Sequence, residues 1–119
     1  MQTDKIITLL NFYKDQTRWC KFHYCKTTSG VATLNFNRAH SFCLTGAISY
    51  LFPVKEGSIL KRYLENYLTI FHDKYVEHKP VFHTLASFND EIDYTTLLAF
   101  LNDALAANAG AHTMQLLSK

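Results

Sequence analysis

Apolar residues recur at helical spacing in three stretches of the chain. The first predicts a helix from about residue 4 to residue 14 with Thr3 as its N-cap, and the second predicts a long helix from residue 57 or 58 to residue 77. A third stretch follows Asp93, a good N-cap residue, and predicts a helix from residue 94 to about residue 105. The apolar positions that define the first two helices are Ile6, Leu9, Leu10 and Tyr13, then Leu60, Leu64, Tyr67, Phe71 and Tyr75.

A fourth segment, residues 37–52, is apolar on nearly every side. Its small residues fall on one stripe, where another backbone can approach closely: Ala39, Cys43, Gly46 and Ala47. A helix that is apolar all round is normally surrounded by other elements. We therefore predict a buried central helix at about residues 38–51, capped by Asn37 and ending before Pro53, because a residue that precedes proline avoids helical dihedral angles.

The connections between these helices are less regular. Aromatic and small polar residues alternate through residues 19–34 and the turn residues Thr27 to Gly30 interrupt them, which predicts a short β-hairpin or an ordered loop. Residues 81–92 lack a period and are expected to connect two helices. Asn108 and Gly110 are candidates to end the last helix.

These elements predict one mainly α-helical domain over residues 1–119. We expect a compact bundle of four to five helices around the central helix. Hydrophobic residues make up 48% of the chain and charged residues 18%, which excludes a disordered protein. With 4 glycines and 2 prolines, the chain has too few turn residues for an all-β sandwich.

Charge and cysteine content exclude several classes of function. A net charge of +2 is too small for a dedicated nucleic-acid-binding protein, and no apolar run is long enough to span a membrane. The chain shows no secretory signal, and 3 cysteines, an odd number, are typical of free thiols in a reducing compartment. The first third is basic and the rest more acidic, an asymmetry that could steer a charged protein partner.

The cysteines and histidines raise two chemical hypotheses. Structural zinc needs two ligand pairs at short spacing. Cys20 and Cys25 fit that spacing only loosely, whereas His40 and Cys43 are three residues apart and could face one way on the predicted helix. A thiolate nucleophile could pair Cys43 with His40, but a cysteine inside an apolar helix is a poor nucleophile. Glycine-rich phosphate loops are absent from the sequence. We therefore expect no catalytic residue, no metal and no cofactor.

Aromatic residues make up 14% of the chain, more than a small core needs. Tyrosine and tryptophan are also favoured at protein interfaces, which indicates a binding surface. The residues expected to contribute to it are Phe22, Tyr24, Arg62, Tyr67, Asp73 and Tyr75. The tyrosines of the long helix, with the small residues 106–111, also predict a homodimer.

Three motifs occur in a distinctive order along the chain. The first is Trp19 followed by a Ser-Gly turn, and the second is Cys43 followed by Gly46 and Ala47. The third, Phe88-Asn89-Asp90, is predicted to form a compact polar knot in which a carboxylate could accept from the Trp19 indole. Together they resemble a family described only as a domain of unknown function, found in bacteria and their phages. The resemblance spans about residues 5–107 and implies no established catalytic residues.

The length and helical layout are also similar to those of small type IV-secreted effectors of intracellular bacteria. Those effectors inhibit papain-like effectors that deamidate or transglutaminate ubiquitin. The resemblance implies an inhibitor that sterically blocks the ubiquitin or catalytic cleft of its target, self-associates, and works in the bacterial cytoplasm and, after secretion, in the host cytoplasm. The alternatives are a phage- or mobile-element-derived regulatory module and a small thiol- or zinc-dependent protein.

Overall fold

The computed structural model describes residues 2–77, 82 and 84–117, without the side chains of residues 111–117. Within this part of the chain, five α-helices and a small antiparallel sheet form a compact, mainly α-helical fold, as the sequence predicts. The helices are α1 (Thr3–Phe12), α2 (Leu44–Leu51), α3 (Val54–Phe71), α4 (Leu85–Glu91) and α5 (Tyr94–Leu117). The strands are β1 (Cys25–Lys26), β2 (Ala32–Thr33) and β3 (Ser41–Phe42), with β1 in the middle.

The predicted hairpin is present. Strands β1 and β2 pair antiparallel, with Cys25 opposite Thr33, and the turn between them places Gly30 at a φ of 86°. Strand β3 pairs with the other edge of β1. This third strand was not expected from the sequence, because Ser41 and Phe42 fall within the segment assigned to the central helix.

The central helix is shorter than predicted, and its predicted start at residue 37 or 38 is wrong. It begins at Leu44, and its N-cap is Cys43 rather than Asn37. The preceding residues leave the helix because their backbone groups bond to the hairpin: His40 N–H donates to the Lys26 carbonyl at 2.8 Å. The helix is also not enclosed on every side, since Tyr50 is 43% exposed.

Other predicted boundaries also need correction. Thr3 lies inside α1, where its hydroxyl donates to Asn108 Oδ1 at 2.8 Å, so it is not the N-cap. Helix α3 begins at Val54, directly after Pro53, and ends at Phe71 in a 3-10 turn. The predicted connection at 81–92 contains α4, which the Thr84 side chain caps, and its residues 81 and 83 lie outside the described part. Helix α5 continues through Asn108 and Gly110 to Leu117.

All five helices and the sheet contribute to one buried core, and Phe100 of α5 lies within it. Phe100 is fully buried there, with ring-centroid distances of 4.8 Å to Phe88 and 5.4 Å to Tyr75. Burial of such aromatic side chains provides most of the driving force for folding. Helix α4 thereby becomes fixed beside α2 and the hairpin, which positions the polar residues that follow Phe88.

Candidate protein-binding surface

The side chain of Asn89 joins three separate segments of the chain. It is fully buried, and its amide oxygen accepts hydrogen bonds from Trp19 Nε1 at 2.6 Å and from Leu44 N at 3.1 Å. Its amide nitrogen donates to the Cys20 carbonyl at 3.0 Å. The indole therefore bonds to an amide oxygen, where a carboxylate was suggested from the sequence. Satisfied networks of this kind give a buried polar group a fixed position.

The adjacent Asp90 holds the loop that leads into β1. Its Oδ1 accepts a hydrogen bond from the backbone N–H of Phe22 at 2.7 Å. Phe22 has a φ of 70°, in the left-handed region that costs an L-residue roughly 1–2 kcal/mol. Such a conformation persists only where neighbouring contacts impose it. In this conformation Phe22 is 71% exposed.

The same loop packs directly on the start of α2. Tyr24 accepts a hydrogen bond through its carbonyl from Cys43 N–H at 3.1 Å. A Cβ atom added at Gly46 would lie 2.2 Å from that carbonyl oxygen, so only glycine fits there. The residues of the three sequence motifs therefore have structural positions: Trp19, Cys43, Gly46, Asn89 and Asp90 shape the loop, and Ala47 and Phe88 are buried in the core.

Cys43 lies at the start of a helix, not in its interior as the sequence analysis assumed. Its Sγ accepts a hydrogen bond from Gly46 N–H at 3.4 Å, yet the residue is only 5% exposed. Burial raises the pKa of the Cys43 thiol, and the hydrogen bond from Gly46 opposes this only in part. Cys43 borders a small cavity of about 130 Å³ together with His23 and Asp90. The thiol is therefore mostly protonated at neutral pH, which disfavours nucleophilic chemistry.

The other two cysteines are also buried free thiols. Cys20 contacts the His23 carbonyl at 3.6 Å, and Cys25 donates to the Thr33 carbonyl at 2.8 Å. Burial raises the pKa of both thiols. In the described part of the chain, no three His, Cys, Asp or Glu residues come together in a group able to hold a metal ion.

Two of the predicted binding residues lie next to each other, and a third is nearby on α3. Phe22 and Tyr24 are both exposed and both border the cavity at Cys43. Tyr24 also hydrogen-bonds through its hydroxyl to Ser49 at 2.7 Å, which turns its ring toward α2. Arg62 is exposed on α3 beside Ile59, which is 51% exposed.

The other three predicted binding residues are not part of the surface around Phe22 and Tyr24; they are Tyr67, Asp73 and Tyr75. Tyr67 is only 8% exposed, so the expectation that it faces solvent is wrong. Its hydroxyl lies 3.2 Å from the hydroxyl of Tyr75, which in turn donates to Asp103 at 2.7 Å. Burial and these hydrogen bonds raise the pKa of Tyr75 well above its ordinary value. Asp73 is exposed, and its carboxylate lies 3.2 Å from Nδ1 of the buried His72.

Sequence reasoning missed the part of this surface that the start of α3 contributes. Val54 is 88% exposed and Ile59 is 51% exposed. Ser58 lies between them and Lys61 follows Ile59 on the same helix, and both Ser58 and Lys61 border the same groove as Tyr24. Pro53 is the residue that could have indicated the earlier start of α3, because proline favours the first positions of a helix.

Comparison with known proteins gave no match to a family model, to a curated protein or to a solved structure. No helix in the described part of the chain combines the length and the apolar character needed to cross a membrane. The fold and the geometry of this surface are therefore the basis for a functional proposal.

Proposed function

We propose that this protein binds another protein and inhibits it by steric occlusion, without catalysing a reaction. The supporting observation is Phe22, an aromatic side chain that is 71% exposed on a backbone with a φ of 70°. Aromatic residues on preorganised backbone are typical of interface hot spots, because little conformational entropy is lost on binding. The hydrogen bonds of Asn89 with Trp19 and Cys20, and that of Asp90 with Phe22, keep this loop in place.

The proposed target is a papain-like bacterial effector that deamidates or transglutaminates ubiquitin. This choice comes from the sequence resemblance to small secreted inhibitors of such enzymes. The buried, protonated thiols support a role in binding over one in catalysis. In this proposal the protein acts in the bacterial cytoplasm and, after secretion, in the host cytoplasm, where it covers the ubiquitin or catalytic cleft of its target.

The experiment combines capture of candidate deamidases from the same bacterium with a ubiquitin deamidation assay. We expect the wild-type chain to bind a deamidase and to abolish ubiquitin deamidation at saturating concentration. Deamidation that continues unchanged at saturation would refute the proposal.

A pair of variants tests whether residues 21–24, which we call the Phe22 loop, make the contact with the target. Phe22→Ala should weaken binding at least about tenfold, since truncation of a hot-spot aromatic costs roughly 2 kcal/mol or more. Ile70→Ala is the matched control, because Ile70 is an equally exposed apolar residue at 72% and lies near the far end of α3. Equal effects of the two substitutions would remove Phe22 as the supporting observation.

A further inference from the structure

A groove beside the Phe22 loop has the chemistry of a carboxylate receptor. It lies between the hairpin residue Tyr24, helix α2 and the first turns of α3, and its volume is about 210 Å³. Pockets for small-molecule ligands usually measure roughly 300–1,000 Å³. The size of this groove therefore suits one side chain of a protein partner better than a free metabolite.

Hydroxyl groups form the polar part of the groove. Tyr24 and Ser49 are joined by a hydrogen bond of 2.7 Å, in which only one of the two hydroxyls donates, so the other keeps a free donor. Ser58 contributes a third hydroxyl. Thr45 contributes a fourth, whose Oγ1 is buried and has no hydrogen-bond partner. Because less than 1 Å² of this oxygen is accessible, the hydroxyls open to a ligand are those of Ser58 and of the Tyr24–Ser49 pair.

The charge of the groove is positive. Lys61 borders it, and Lys55 and Arg62 border the adjoining depression around Ser58 and Ile59. Within the described part of the chain none of these three cations forms an ion pair with a carboxylate. Glu65, one turn beyond Lys61, accepts a hydrogen bond from Leu85 N at 2.9 Å instead. Among the residues that the structure describes, no acidic side chain borders the groove.

We infer that this groove binds an Asp or Glu side chain of the partner protein, with Lys61 and the hydroxyls of Ser49 and Ser58 contacting the carboxylate. The inference rests on the proposed function, since it names the chemistry of the partner that the Phe22 surface recognises. The apolar groove residues Pro53 and Val54 lie where the aliphatic stem of the bound residue would pack. A phosphate group is less suited to the site, because phosphate recognition typically uses arginine clusters and only one cation borders the groove.

A peptide titration tests the groove without the partner. Acetyl-Ala-Glu-Ala-amide is added at millimolar concentration to the ¹⁵N-labelled protein, and the amide resonances of residues 45, 49 and 58 are followed by NMR. We expect these resonances to shift with the Glu peptide, and to shift about tenfold less with the matched Gln peptide or with the Lys61→Gln variant. Equal shifts with both peptides, no shifts with the Glu peptide, or stronger binding of inorganic phosphate would overturn the inference.

A second experiment separates this inference from the proposed function. In the captured deamidase complex, Lys61→Glu should weaken binding by about tenfold, whereas Lys14→Glu, on an exposed residue outside the groove, should change it by less than about twofold. If the wild-type chain binds a deamidase and Lys61→Glu has no more effect than Lys14→Glu, the groove assignment fails alone. If no deamidase is bound, the proposed function fails, and the peptide titration still decides the chemistry of the groove.

Discussion

At the scale of single residues, Asn89 and Phe22 have complementary roles. Asn89 is fully buried and satisfies two donors and one acceptor from two other segments of the chain, while Phe22 is exposed and adopts a backbone conformation that is unfavourable for its residue type. The hydrogen bonds of Asn89 thus offset the backbone strain at Phe22. Stability depends on Asn89 and the proposed binding depends on Phe22, so separate substitutions can test the two roles.

Replacement of Asn89 by alanine should lower the free energy of unfolding by about 3 kcal/mol. The substitution leaves Trp19 Nε1, Leu44 N and the Cys20 carbonyl without partners in the interior, and each such group costs roughly 1–3 kcal/mol. Urea unfolding followed by circular dichroism measures the change. Asn102→Ala is the control, since Asn102 is exposed and bonds only to Leu98 of its own helix, and it should change stability by less than about 0.5 kcal/mol.

At Phe22, glycine should give a more stable protein than alanine, by about 0.5–1 kcal/mol. Glycine adopts a positive φ without steric cost, whereas alanine retains the strain of the left-handed conformation. Urea unfolding of the two variants checks this order. At the exposed Val31, which has an ordinary negative φ, alanine should be the more stable of the two, and the same order at both positions would contradict the explanation.

The Asp103 carboxylate should make a pH-dependent contribution to stability. Hydrogen bonds from Lys74 and Tyr75 lower the pKa of Asp103 below its ordinary value of 3.8. A carboxyl group whose pKa is lower in the folded state stabilises the fold above the unfolded pKa and loses that effect as pH falls through the folded pKa. Because Asp103 is 33% exposed and Lys74 is 58% exposed, the effect at neutral pH should stay below about 1 kcal/mol.

Comparison of the wild type with Asp103→Asn tests this sign. The wild type should be the more stable protein at pH 6, and the difference in urea midpoint should shrink or vanish at pH 3. A difference that stays constant or grows between these two pH values would show that the ionised carboxylate does not stabilise the fold.

At the scale of elements, the sequence predicted helices correctly where the apolar repeat was long. The prediction failed where tertiary contacts override that repeat. Helices α1, α3 and α5 follow clear apolar repeats, and Asp93 caps α5 as expected, accepting from Thr96 N at 2.7 Å. The start of α2 could not be predicted, because residues 40–42 bond to the hairpin and only Cys43, as the N-cap, bonds to the helix. Helix α4 is only seven residues long, too short for a period to be recognised.

The candidate surface was predictable only in part for the same reason. The exposed aromatic residues Phe22 and Tyr24 could be expected from their alternating sequence pattern. The groove could not be predicted, because its residues come from two different helices. Only the packing of α2 against α3 brings Thr45, Ser49 and Lys61 together.

The contact between Tyr24, the residue before β1, and helix α2 makes Gly46 the most sensitive position of the second motif. Gly46→Ala should lower the free energy of unfolding by about 3 kcal/mol or prevent folding, because its Cβ would lie 2.2 Å from the Tyr24 carbonyl oxygen. Gly110→Ala is the control: nothing lies within 4 Å of a Cβ at that helical position, so it should stabilise the protein by up to about 1 kcal/mol. A Gly46→Ala protein of nearly wild-type stability would contradict the close approach.

At the scale of the whole molecule, three elements build the candidate surface. The hairpin loop, helix α2 and helix α3 each contribute side chains, and the packing of α2 against α3 and of Tyr24 against α2 sets their relative positions. The helix tyrosines, by contrast, mostly point inward: Tyr67 is buried and Tyr63 donates to the Ala104 carbonyl at 3.1 Å. They give little support for a homodimer.

A homodimer remains a proposal, for which exposed small residues of α5 provide the support. Ala106, Ala107 and Gly110 are exposed, and small residues allow another helix to approach closely. Light scattering at tens of micromolar should then give twice the chain mass of 13.7 kDa. A single species of monomer mass would contradict it, and Ala107→Glu should convert a dimer into a monomer without loss of helix content.

The hydrogen bond between Phe22 N and Asp90 Oδ1 connects positions 68 residues apart in sequence. A synthetic peptide that carries only the hairpin would lack Asn89 and Asp90, and with them the contacts that impose the positive φ at Phe22. Transplanting the recognition loop into another scaffold would therefore require the short helix α4 as well. Under the proposed function, substitution of Asn89 would weaken binding although its own side chain is fully buried.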